Sequence, residues 1–227
     1  MSLSDVQLLV DDLVRDVGER VSPSQRDRAI AVAVTRLSVD RPRVVAEDVT
    51  STGGQALPTP TLWQDGRSTV QALEHPVGHV PPARWPLDEV SIYLAPAGEE
   101  IHLARSLTSG DVVRVSYGLP HVLDATTDTI PAAHIEAVGY YAAAHLCDQL
   151  ASQYADNTEP TIGADRVDQG AQARAWRALA KDYRARYGEI VGLPSGDGGG
   201  NYVPPAATTL NHDMQASDGR RPLWRRR

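Results

Sequence analysis

The sequence predicts an α+β fold, mainly helical. A helical body is interrupted by a small inserted antiparallel β domain and followed by an extended C-terminal arm. Three observations carry this expectation. Apolar residues recur at helical spacing over residues 4–39 and again over 131–191. Between Pro42 and Pro131 that spacing gives way to short alternating runs, and half of the chain's 16 prolines lie in residues 43–120. From residue 194 onward neither period continues. The expected segments are therefore N-terminal helices over 1–42, a β domain over 43–120, a helical hairpin over 121–193 that completes the body, and the arm over 194–227.

In the first segment Leu8, Leu9, Leu13, Val14 and Val17 share a helical face after Ser4-Asp5, which suits an N-cap, and Gly18 ends the pattern. Ser22, Pro23 and Gln25 form a capping box with proline at the first helical position. Ile30, Ala33, Val34 and Leu37 supply the buried face of this second helix, and Pro42 stops it.

Strands are expected at Arg43–Val49, Ser68–Leu73, Val90–Leu94, Glu100–Leu103 and Asp111–Tyr117, with turns at Ala97-Gly98 and Ser109-Gly110. In the last strand Val113, Val115 and Tyr117 alternate with Val112, Arg114 and Ser116, the pattern of a half-buried strand.

Helix resumes after Pro131 with an Ala-rich run to Ala155. A loop spans Asp156–Gly163, and a second long helix runs from about Ala164 to Tyr187, closed by Gly188 and Gly192. Trp176, Leu179, Ala180, Tyr183 and Tyr187 line one face of that helix.

Composition is ordinary for a soluble chain, with 41% hydrophobic and 22% charged residues. No apolar run approaches the ~20 residues of a membrane-spanning helix. The N-terminus carries no basic and apolar leader pattern, so assembly in a cytoplasm is expected. The net charge of −7 is uneven, since all the basic residues after position 194 are arginines crowded into the last eight positions. An acidic body repels phosphate and makes a poor general nucleic-acid binder. Cys147, the single cysteine, sits among Ala144, Leu146 and Leu150 and reads as a buried, inert thiol.

No nucleophile elbow, phosphate loop, zinc-protease helix or dinucleotide fingerprint is present, and no catalytic, cofactor or metal residue is assigned. His75 and His79 are separated by Pro76 and Gly78, which break any helical metal pair. His134 and His145 fall near one helix face without a matching carboxylate cluster and read as helix surface. Asp11, Asp12, Asp16, Glu99 and Glu100 read as solvated or turn residues. Asp165 and Asp168 read as first-turn residues that favour the helix dipole.

The C-terminus is different. Ser195–Gly200 reads as a linker, and the chain closes with Arg220, Arg221, Leu223, Trp224, Arg225, Arg226 and Arg227. Arginine and tryptophan anchor interfaces, so these seven residues form a candidate docking motif. A solubilising tail and nucleic-acid contact are the alternatives.

Three segments together resemble the head–tail adaptor, or connector, proteins of long-tailed bacteriophages. They are His75-Pro76-Val77-Gly78 through Pro81-Pro82, then Asp111 through His121, then Ile130 through Ala144 with the later Tyr154-Ala155 and the Trp176–Tyr187 helix. The resemblance spans residues 4–191. The sheet insertion and the long tail depart from the smaller, nearly all-helical adaptors. The resemblance implies a non-enzymatic virion protein that forms a twelve-fold ring under the portal. Genomic DNA would pass through its channel, a downstream neck or tail protein would bind below, and no membrane would be involved. Residues 220–227 would then be a portal-docking arm. Assembly would take place in the host cytoplasm. Another neck or tail-completion protein is the neighbouring reading, and a hydrolase using His121 and a nearby Asp is the remaining one.

Overall fold

Four helices and two small antiparallel sheets build the protein, a mixed α+β fold with the sheets inserted between the second and third helices. The computed structural model describes residues 2–16, 20–156 and 169–193. The chain divides into two units, one comprising the residues up to Asp40 and from Val122 onward, the other Arg41–His121.

The first unit holds α1 (Leu3–Leu13), α2 (Pro23–Asp40), α3 (Ala132–Asp156) and α4 (Gln169–Val191). Helix α1 is capped by Ser2, not by the Ser4 expected: the Asp5 carboxylate accepts the Ser2 N–H at 2.8 Å. The capping box of α2 forms as read, with Ser22 N–H donating to Gln25 Oε1 at 2.7 Å and Gln25 N–H to Ser22 Oγ at 3.3 Å. Helix α3 packs against each of the other three. Its small residues make this workable. Ala137, Ala142, Ala143 and Ala144 are buried, and a Cβ added to Gly139 would lie 2.5 Å from Leu9 Cδ2.

Leu37, Leu146 and Leu150 are fully buried in this core, and each such burial is worth roughly 1.5–3 kcal/mol. Helix α4 continues through Gly188, the first of the two expected end signals, to Val191 and ends at the second, Gly192, whose φ is +70°. Tyr187 and Val191 are both buried, and their packing offsets the cost of a helical glycine. Gly18, residues 157–163 of the expected loop, Asp165, Asp168 and the arm lie outside the described residues.

The second unit has seven strands where five were expected: β1 (Arg43–Thr50), β2 (Gly54–Leu57), β3 (Thr69–Glu74), β4 (Arg84–Trp85), β5 (Val90–Ala95), β6 (Gly98–Leu107) and β7 (Val112–Leu119). They form two sheets, ordered β1-β7-β3-β4 and β2-β6-β5, with every pairing antiparallel. Val113, Val115 and Tyr117 point into one shared core with Leu57, Leu73, Ile101 and Leu103, as the alternation of β7 required. Strand β7 is central because its inward residues are all large and apolar, and it pairs on both sides.

Candidate interaction surfaces

Loop 75–82 joins β3 to β4, and its base is firmly held. His75 N–H donates to the Ala83 carbonyl at 3.0 Å, its ring Nδ1 lies 3.2 Å from the Val112 carbonyl, and Glu74 accepts the Gly78 N–H at 3.0 Å. The His75 and Trp85 rings lie 6.1 Å apart. Below the loop, Arg114 on β7 forms a bidentate pair with Asp48 on β1, at 2.7 and 2.9 Å, and stands 3.7 Å from Glu74 on β3. These three residues are direct cross-strand neighbours. Hydrogen bonding to Arg114 holds the Asp48 carboxyl below its usual range. The tip is another matter: Val80 is 97% exposed, and His79, Pro81 and Pro82 are exposed beside it.

A second loop, 58–68, crosses between the sheets and is fixed by two carboxylates. Glu47 accepts the Thr61 N–H at 3.0 Å, the Thr61 hydroxyl at 2.6 Å and the Tyr117 hydroxyl at 3.2 Å. Glu99 accepts Trp63 Nε1–H at 2.9 Å and Gly66 N–H at 3.0 Å. The Trp63 ring lies 5.8 Å from that of Tyr117. The Thr61 hydrogen bonds hold the Glu47 carboxyl below its ordinary range. Glu99 is therefore no solvated turn residue, and no local signal marked it, because its partners lie more than 30 positions earlier. Glu100 contacts His102 at 3.3 Å.

The remaining predicted residues are dispersed. His121 is buried, with Nε2 2.9 Å from the Arg41 carbonyl. A carbonyl only accepts, so this nitrogen is the protonated one and cannot serve as a base. His134 and His145 lie partly buried on α3. Asp11 pairs with Arg26 of α2 at 2.5 Å, and Asp16 accepts the N–H groups of Arg20 and Val21, so neither is merely solvated. Cys147 is fully buried, and burial first, then Asp148, pushes its thiol up to about 12. Among the described residues no three His, Cys, Asp or Glu side chains gather as a metal would need, and no helix is long and apolar enough to cross a membrane.

Among the described residues strand β5 presents the longest exposed apolar run: Ile92, Tyr93 and Leu94 are 40, 52 and 74% exposed. Arg220, Arg221, Leu223, Trp224, Arg225, Arg226 and Arg227 lie outside the described residues. The chain matches no protein-family model and no curated protein sequence.

Proposed function

We propose that this chain is a non-enzymatic structural protein of a tailed-phage virion, a ring-forming adaptor that docks on the portal and continues the DNA channel toward the tail. The observation that carries the reading is where the adaptor-like segments fall. His75–Pro82 forms an exposed loop on a rigid base, Val112–His121 the central strand and its anchored exit, and Ile130–Ala144 the start of the helix around which the helical unit packs.

Each feature suits a ring subunit. The prolines of loop 75–82 fix their own φ angles, so less freedom is lost when the loop is pressed against a neighbour. The small residues of α3 allow close helix approach. An acidic body lets DNA slide past without adhering. In this reading the body is mainly helical, the C-terminal arm is extended, and Arg220, Arg221, Leu223, Trp224 and Arg225–Arg227 engage acidic and apolar groups of the portal through bidentate guanidinium pairs.

The test is direct. Purified protein mixed with purified portal is imaged in negative stain, and its stoichiometry is measured by native mass spectrometry. Rings capping the portal, of twelve copies, are the expected outcome. A chain that stays monomeric and leaves portal particles bare would refute the proposal.

A further inference from the structure

We propose that the outward face of α4 is a contact surface for the phosphate backbone of duplex DNA. Arg174, Arg177, Lys181 and Arg184 are all exposed and recur at i, i+3, i+7 and i+10, so they share one face of the helix. Trp176, Ala180, Tyr183 and Tyr187 turn a different side to the core. The two acidic residues of α4 leave the stripe uncompensated. Asp182 stands four positions before Arg186 and Glu189 three after it, so both neighbour Arg186 instead. Arg184 pairs with Asp148 of α3, but among the described residues no carboxylate pairs with Arg177 or Lys181. Like charges three and four positions apart repel along a helix, so the stripe works against the element that carries it. On a chain whose net charge is −7, this gathering of cations is the exception, and an anionic partner would relieve it.

The residues beside the cations choose the kind of anion. Ala178 and Ala185, three positions before Lys181 and four after it, are exposed next to the stripe. The large apolar side chains of the helix, Trp176, Leu179 and Tyr183 among them, pack against the core instead. Protein interfaces are built on such apolar and aromatic anchors, and lysine and alanine are depleted in them. A face of cations among alanines has no anchor to offer a protein. It suits phosphate, which needs charge and close approach but no apolar pocket. The spacing agrees. Arg174 to Arg184 covers about 15 Å at 1.5 Å per residue, over which one strand of a duplex presents about four phosphates at ~3.4 Å along its axis. Phosphate contacts read no sequence, so a duplex can still advance past this face.

The inference rests on the adaptor reading for the presence of DNA, and it names the face turned toward it. Fluorescence anisotropy of a short labelled duplex, titrated with the full chain at a series of salt concentrations, tests it without portal or ring. The double variant Arg177→Gln/Lys181→Gln is expected to bind about tenfold more weakly at about 50 mM salt, with the slope of log K against log salt shallower by about two. Arg186→Gln, which removes a charge from the same helix off the stripe, should keep the parent's slope, and Lys181→Arg should keep its affinity. Unchanged helical circular dichroism confirms that each variant is folded. Equal affinity and slope in parent and double variant overturn the proposal, as does a parent that binds no duplex at low salt. A double variant that keeps duplex binding but no longer caps portals also overturns it, and assigns the face to protein. Failure of the adaptor reading shows differently, as a parent that leaves portals bare while the duplex results stand.

Discussion

His121 Nε2 donates to the Arg41 carbonyl across 2.9 Å, joining the last residue of the β unit to its first. The ring is buried, so removing it loses both this hydrogen bond and the ring's packing. His121→Ala is expected to destabilise the β unit by about 1–3 kcal/mol. Urea unfolding followed through Trp63 and Trp85, both in that unit, measures it. An unchanged midpoint would mean that the strands alone hold the two ends together.

In the helical unit Tyr187 donates to Asp40 at 2.6 Å, and Arg36 donates to the same carboxylate oxygen at 2.9 Å. The Asp40 side chain is fully buried, so the phenol hydroxyl is part of what keeps its charge satisfied. Tyr187→Phe is expected to cost about 1.5–3 kcal/mol, read from the loss of helical circular dichroism in denaturant.

The same tyrosine gives the unit an alkaline limit. Burial first, then the Asp40 carboxylate, raises the Tyr187 phenol above its ordinary value. A raised folded value stabilises below the unfolded value of about 10, and that stability is lost as pH rises toward the folded one. Parent protein should therefore weaken steadily above about pH 10. Tyr183 shares the upward shift through burial, so Tyr187→Phe should reduce the slope without abolishing it.

Loop 58–68 should respond to acid. A carboxyl held below its usual range, as Glu47 is, stabilises above its unfolded value of about 4.3 and loses that contribution as pH falls through the folded one. Trp63 lies against Tyr117 in this loop, so its emission should change below about pH 4. In Glu47→Gln, which still accepts hydrogen bonds but does not titrate, the transition should shrink.

Gly139→Ala sets helix propensity, about 1 kcal/mol in favour, against overpacking, about 1–3 kcal/mol against. The added carbon would meet Leu9 at both Cδ2 and Cγ, 2.5 and 3.0 Å away, so rotation of the leucine tip alone does not relieve it. Net destabilisation of about 1 kcal/mol is expected. Adding Leu9→Ala should make the alanine at 139 neutral or favourable, a coupling that a double-mutant cycle reads.

What the sequence made legible was local. The Ser22–Gln25 box, the proline stop after α2 and the alternation of β7 each depend on neighbours within a few positions, and each took the expected form. What it hid was held by distant partners. Strand β2 reads Gly-Gln-Ala-Leu, a poor strand sequence that becomes one by pairing with β6. The burial of Asp40 gave no signal, since of its partners Arg36 is local but Tyr187 is 147 positions away. The division into two sheets was equally invisible, because strand positions do not by themselves say which strands pair. Of the candidate surfaces, loop 75–82 was legible from its prolines. The β5 edge was recognised only as a strand, because exposure follows from its place at the end of a sheet.

The pairing of Arg43 with Leu119 places the two ends of the β unit on neighbouring antiparallel strands, about 5 Å apart. Entry and exit thus occupy one narrow doorway, and the chain from Arg41 to His121 behaves as a cassette. A short Gly-Ser bridge from Asp40 to Val122 would excise it without spanning any long gap. At the level of the gene, the same doorway lets one recombination event exchange the whole cassette for another while the helical unit is inherited intact.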